Sequence, residues 1–182
     1  MARFPYYRSL SAKAKRIYDV SDGVHAVTLP KLAVHRQHAA ALRRALSSQD
    51  RRVVAQAAQA LVSGITLALG VRSVKVRVLA KRPKNHDGEL HGLYTLESDG
   101  RAHIEVWMRT AEHEKVVAFR TFLRTLLHEV CHHLDFALLG LAETFHTEGF
   151  FRRESSLVRQ VSPPPSPAAP RARARQLSLF EA

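Results

Sequence analysis

The chain has 182 residues, of which 46% are hydrophobic and 24% charged, and its 28 Lys+Arg against 16 Asp+Glu give a formal net charge of +12 at pH 7. That length suffices for one compact domain with tails, and the charge suits a polyanionic partner such as nucleic acid, or else an arginine-rich solvated surface. A single cysteine excludes an internal disulfide framework and fits a reducing compartment, no apolar stretch is long enough to span a membrane, and a cytoplasmic protein is expected.

Residues 1–30 are predicted to be an irregular basic segment, with Arg3, Arg8, Lys13, Lys15 and Arg16 interleaved among Phe4, Tyr6, Tyr7 and Tyr18. Such rings either pack on the domain or stack on a single nucleic-acid strand, and packing is the simpler expectation. The domain proper is expected over 31–161. Pro30 opens a predicted helix that runs to about Leu46; Ser48 is the expected N-cap of a second helix, Gln49 to Leu69, stopped by Gly70. Val74, Val76 and Val78 alternate with Lys75 and Arg77 as in a half-buried strand. After a polar loop over Lys81–His91, two strands over Gly92–Glu97 and Arg101–Met108 are joined by Ser98-Asp99-Gly100, a hairpin turn signal.

The stretch from about Lys115 to Leu141 has helical apolar periodicity, with Phe119, Leu123, Leu126, Leu127, Val130, Leu134 and Leu138 on one arc. Within this stretch stands His128-Glu129-Val130-Cys131-His132, an H-E-x-x-H pattern whose two histidines fall off that arc. Residues four apart on a helix sit one above the other, so both imidazoles can share one Zn²⁺, and Glu129 can take a proton from water activated there. A third ligand is required. His146 is the first candidate, because Gly140 can end the helix and a chain reversal returns His146 to the metal; Glu148 and Glu154 are alternatives. Asp135 is one turn too far along to coordinate and is expected as a hydrogen-bond partner behind a ligand histidine, or as a solvated carboxylate. His133 points away from the pair, Cys131 is a small packed side chain, and His86, His91, His103 and His113 lack ligand spacing and are expected at the surface. A last helix, about Thr147 to Gln160, would pack through Phe150, Leu157, Val158 and Val161.

From 162 to 182 the composition changes. Ser162-Pro163-Pro164-Pro165-Ser166-Pro167 favours an extended linker, and Arg171, Arg173 and Arg175 precede Gln176-Leu177-Ser178-Leu179-Phe180. That pentapeptide (176–180) resembles the bacterial sliding-clamp binding motif, in which a flexible tail offers apolar anchors and a glutamine to a pocket. A frayed tail folding back on the domain is the alternative.

The stretch from about Gly92 to Val161, with its strand pair, the helix Thr125-Leu126-Leu127-His128-Glu129-Val130-Cys131-His132 and a later histidine opening a helix, resembles the SprT-like (Spartan-like) zinc metalloproteases. That family's later motif commonly runs His-Gly-Pro-Glu-Phe; here His146-Thr147-Glu148-Gly149-Phe150 keeps the histidine and the phenylalanine. Many members add a zinc ribbon, which one cysteine cannot build. The resemblance implies an α+β, zincin-like minimal protease domain: N-terminal helices, a small three-stranded sheet, the H-E-x-x-H helix and a C-terminal helix, followed by a disordered tail. It implies His128, His132 and His146 as Zn²⁺ ligands, Glu129 as general base, and protein substrates at DNA–protein crosslinks. It also implies an edge strand that pairs with substrate, expected at Ala102–Met108, with Trp107 lining the cleft or lying in the sheet's packed face. A zinc-stabilised adaptor that cleaves nothing, and an unrelated zincin with a soluble protein substrate, are the other expectations.

Overall fold

The computed structural model describes residues 3–85 and 88–162. His86 and the whole 176–180 motif lie outside them, as do Arg171, Arg173 and Arg175. Among the described residues the chain is α+β, with five α-helices and a three-stranded mixed sheet.

The N-terminal segment is not irregular. A 3-10 turn over Pro5–Ser9 leads into α1 (Ala12–Gly23), whose N-cap Ser11 accepts a hydrogen bond from the amide of Ala14. Ala14, Tyr18 and Ser21 form its buried stripe. With only one large apolar residue in that stripe, the segment lacks the hydrophobic pattern that announces a helix. Tyr6 and Tyr7 pack edge-on against Tyr18, at centroid distances of 5.9 and 4.9 Å, so these rings serve packing.

Next come α2 (Leu32–Ser48) and α3 (Arg51–Ala68), packed on each other. Ser48 is not the cap of α3. Its hydroxyl donates back to the Ala45 carbonyl and closes α2, Gln49 turns the chain at φ 58°, and Asp50 caps α3 by accepting from the amides of Arg52 and Val53. A carboxylate there also meets the positive end of the helix dipole.

The sheet joins β1 (Lys75–Lys81), β4 (Gly92–Leu96) and β5 (Ala102–Arg109) in the order β1-β5-β4; the loop between β1 and β4 contains a small hairpin, β2 (Lys84–Asn85) with β3 (Gly88–Glu89). β5 runs parallel to β1 and antiparallel to β4. The expectation that Ala102–Met108 forms an edge is therefore wrong: β5 is the central strand, and β4 is an outer one. Trp107 is buried on the face of β5 opposite Ile104, Val106 and Met108, and it is not a wall of the site described below.

α4 (Phe119–Ala137) packs on β4 and β5, and α5 (Glu148–Val161) packs on α4, α1 and α2. α4 is shorter than predicted at both ends. Val117 donates its amide to the Met108 carbonyl and so belongs to the sheet margin, while Gly140 at φ 64° turns the chain out of the helix. Leu123, Leu126, Leu127, Val130 and Leu134 join Leu42, Leu61, Ile65, Val76, Ile104, Phe150 and Leu157 in one core. Leu138, at the end of the predicted arc, is exposed. No helix among the described residues is long and apolar enough to cross a membrane.

Candidate metal centre

His128 and His132 project from adjacent turns of α4, and the reversal after Gly140 carries His146 to them from the loop before α5. Their Nε2 atoms lie 3.3 Å (His128–His132), 3.0 Å (His128–His146) and 3.1 Å (His132–His146) apart. Nitrogens held tetrahedrally by zinc at about 2.05 Å stand about 3.3–3.4 Å from one another. The three histidines thus fit one metal ion, and no other group of three ligating side chains of this closeness occurs among the described residues.

The far nitrogens set the direction of the near ones. Glu154 lies 3.0 Å from His128 Nδ1, and a carboxylate can only accept, so Nδ1–H donates and Nε2 keeps its lone pair. His132 Nδ1–H donates to Thr144 Oγ1 at 2.8 Å, and the Thr144 hydroxyl donates to Asp135 Oδ2 at 2.7 Å. The main-chain carbonyl of His146 accepts from the Tyr6 hydroxyl at 2.8 Å, which ties the loop to the N-terminal segment. Burial, together with the neighbouring imidazoles, holds His132 down to about 3 and also lowers His146, so both stay in the neutral form that ligates. Phe150 backs all three rings, at centroid distances of 5.0, 4.7 and 5.2 Å.

Two expectations about acidic residues change. Glu154 is not a third ligand but the partner of His128, also paired with Arg124 at 2.5 Å; Glu148 pairs with Arg152 at the start of α5 and takes no part. Asp135 is fully buried and reaches His132 only through Thr144; its other oxygen receives Arg153 Nη2 at 2.7 Å. Arg153 is itself 1% exposed and donates onward to the carbonyls of Ser21 and Val24 at the end of α1. Phe150, Arg153, Glu154, Leu157 and Val161 recur at helical spacing, so two charged residues on an apolar stripe were the signal for this buried network.

Glu129 stands beside the histidines, 6% exposed. Burial pushes its carboxyl up to about 7, against the pull of His128 and the main-chain N–H of Tyr94 on β4. β4 crosses so close that a Cβ on Gly92 would strike the Glu129 carboxylate and come within 2.8 Å of Thr125 Cγ2. Gly92, Leu93 and Tyr94 wall a hollow of about 230 Å³ above the three histidines and Glu129. A glycine opening a strand gives no sign in sequence that it must clear a carboxylate.

His133 faces away, as expected: its Nε2–H donates to the Arg72 carbonyl at 2.8 Å, and Nδ1 accepts from the Tyr94 hydroxyl at 3.3 Å. Cys131 is wholly buried, and burial pushes its thiol up. His91 and His113 are exposed, while His103 is partly buried beside Glu97. No protein-family model, curated protein or solved structure matches the chain.

Proposed function

We propose that the chain is a zinc-dependent endopeptidase of the SprT-like type, acting on proteins at or near DNA. The observation that carries this is the convergence of three Nε2 atoms beside a buried carboxylate, under an outer β-strand. Three imidazoles without a first-sphere carboxylate suit Zn²⁺. His128, His132 and His146 would hold the ion, which when bound polarises a carbonyl and lowers the pKa of water.

The chain's own groups would do the rest. Glu129, buried beside the three histidines, would accept the proton of the attacking water on a carboxylate oxygen and pass it to the leaving amine nitrogen. Glu154 and Thr144 keep His128 and His132 in the tautomer that faces the ion. β4, in place of β5, is the strand along which an extended substrate backbone would lie. The +12 charge supports association with DNA, and Gln176, Leu177, Ser178, Leu179 and Phe180 support recruitment to a sliding clamp of the replication machinery. A cytoplasmic, nucleoid-associated protein fits this reading.

The test is cleavage of a DNA-bound protein by zinc-loaded wild type and Glu129→Gln. Cleavage lost in the variant with zinc retained supports the reading; equal cleavage by both refutes the role of Glu129. Stoichiometric zinc without cleavage under any condition would favour a non-proteolytic adaptor.

A further inference from the structure

A second hollow, of about 660 Å³, opens beside the metal centre at the end of the sheet where β1 begins. Tyr94 is a wall of both hollows. Along β4, Gly92, Leu93 and Tyr94 border the metal side, while Tyr94, Leu96 and the following Glu97 border the larger hollow. A peptide laid along β4 therefore runs from one to the other. At ~3.3 Å per strand residue, the larger hollow receives a side chain about two positions from the bond lying over the metal.

The lining is cationic. Arg72, Lys75, Arg77 and Arg101 border it against the single carboxylate of Glu97. Arg77 and Arg101 are paired with Glu105 at 3.3 Å and Asp99 at 2.7 Å. Arg72 and Lys75 have no carboxylate partner among the described residues, and the Arg72 guanidinium reaches only the Gly100 carbonyl, at 3.5 Å. The remainder of the lining is mixed: Ser73, His103 and His133 are polar, while Leu96, Ala102, Ala137 and Phe136, which stacks on Tyr94 at 5.8 Å, supply apolar surface. An aliphatic stem bearing a carboxylate matches that combination. The hollow has room for more than one Asp or Glu side chain, and its shared wall with the metal centre, in place of an extended groove, favours a substrate segment over a nucleic-acid strand.

We infer that this hollow is a specificity subsite that selects Asp or Glu in the substrate, about two residues from the scissile bond, with Arg72 and Lys75 as the selecting cations. The inference rests on the peptidase reading above and adds a substrate class to it.

The experiment uses the full zinc-loaded chain and quenched-fluorescence peptides of Ala, Gly and Ser that carry Glu, Gln or Lys at one position at a time. The Glu peptide should be cleaved roughly tenfold faster in kcat/KM than the Gln peptide at one position on one side of the bond, and the Lys peptide more slowly still. Arg72→Glu combined with Lys75→Glu should reverse the Glu-to-Lys ratio at that position and at no other. Equal rates for all three peptides overturn the subsite and leave the peptidase intact. Should no peptide be cleaved, binding of the same peptides to zinc-loaded Glu129→Gln by fluorescence anisotropy decides: Glu over Lys, reversed by the double variant, upholds the cationic seat. Indifference to charge, or displacement of the Glu peptide by a short oligonucleotide that itself depends on Arg72 and Lys75, overturns it.

Discussion

Replacing Arg153 with methionine keeps most of the side-chain volume and removes the cation from a place it cannot leave. Arg153 and Asp135 are 1% and 0% exposed and 2.7 Å apart. The guanidinium also donates to the carbonyls of Ser21 and Val24, at 2.5 Å each, and to Ser21 Oγ at 2.9 Å. Breaking a buried ion pair from one side costs about 3–5 kcal/mol, because the other charge stays buried without its partner. The Val24 carbonyl, left without this donor, adds ~1 kcal/mol, whereas the Ser21 carbonyl keeps the Val24 amide at 3.3 Å. Arg153→Met should therefore lose about 4–6 kcal/mol, a large share of the ~5–15 kcal/mol of a typical domain. Urea unfolding of the metal-free full chain, followed by circular dichroism, measures it; at an m-value of ~2 kcal/mol/M the midpoint falls by about 2–3 M. Removing both charges in Arg153→Met/Asp135→Leu should recover most of the loss. Burial already raises the Asp135 carboxyl and Arg153 opposes that rise, so without Arg153 the folded state holds the proton more tightly than the unfolded chain. The deficit of the single variant should then shrink as pH falls from about 8 toward 5. A loss under ~1 kcal/mol, or a double variant no better than the single one, would refute the reasoning.

Thr144→Val keeps the shape but removes the group that accepts from His132 and donates to Asp135; zinc affinity, measured by competition with a chelator, should fall about 10–100-fold. Glu154→Ala should weaken zinc by a similar factor through His128, and unchanged affinity in both variants would mean that the metal ignores these partners. Gly92→Ala forces a methyl group against the Glu129 carboxylate, so cleavage should drop more than about 100-fold while zinc stays bound; an active Gly92→Ala enzyme would contradict the close approach of β4. Deleting 176–182 should abolish binding to a purified sliding clamp and leave zinc content untouched, and unchanged clamp affinity would dismiss the tail motif.

Local order was legible in the sequence. The spacing of His128 and His132, four apart and off the apolar arc of α4, follows from helix geometry alone, and Gly140 with its left-handed φ marks the reversal that returns His146. Long-range order was not. Whether the β4–β5 hairpin presents its first or its second strand at the edge depends on where β1 inserts, and β1 joins from outside the hairpin, parallel to β5. No pattern within residues 92–109 carries that information. The ties between Arg153 and α1 span 129 and 132 positions and end on main-chain carbonyls, which have no sequence signature. For the same reason residues 1–30 give no sign that they brace the metal loop through Tyr6 and the buried network through Ser21. Glu154 was visible as an acid within reach, but a carboxylate that binds an ion and one that orients an imidazole look alike until the fold fixes which atom is nearest.

The most direct measurement is the metal content of the purified full chain and of His146→Ala by inductively coupled plasma mass spectrometry. About one zinc per chain in the wild type, with a large loss in the variant, is the expected result for a three-histidine centre. No bound metal in protein prepared with zinc present, or zinc retained undiminished by His146→Ala, would contradict it.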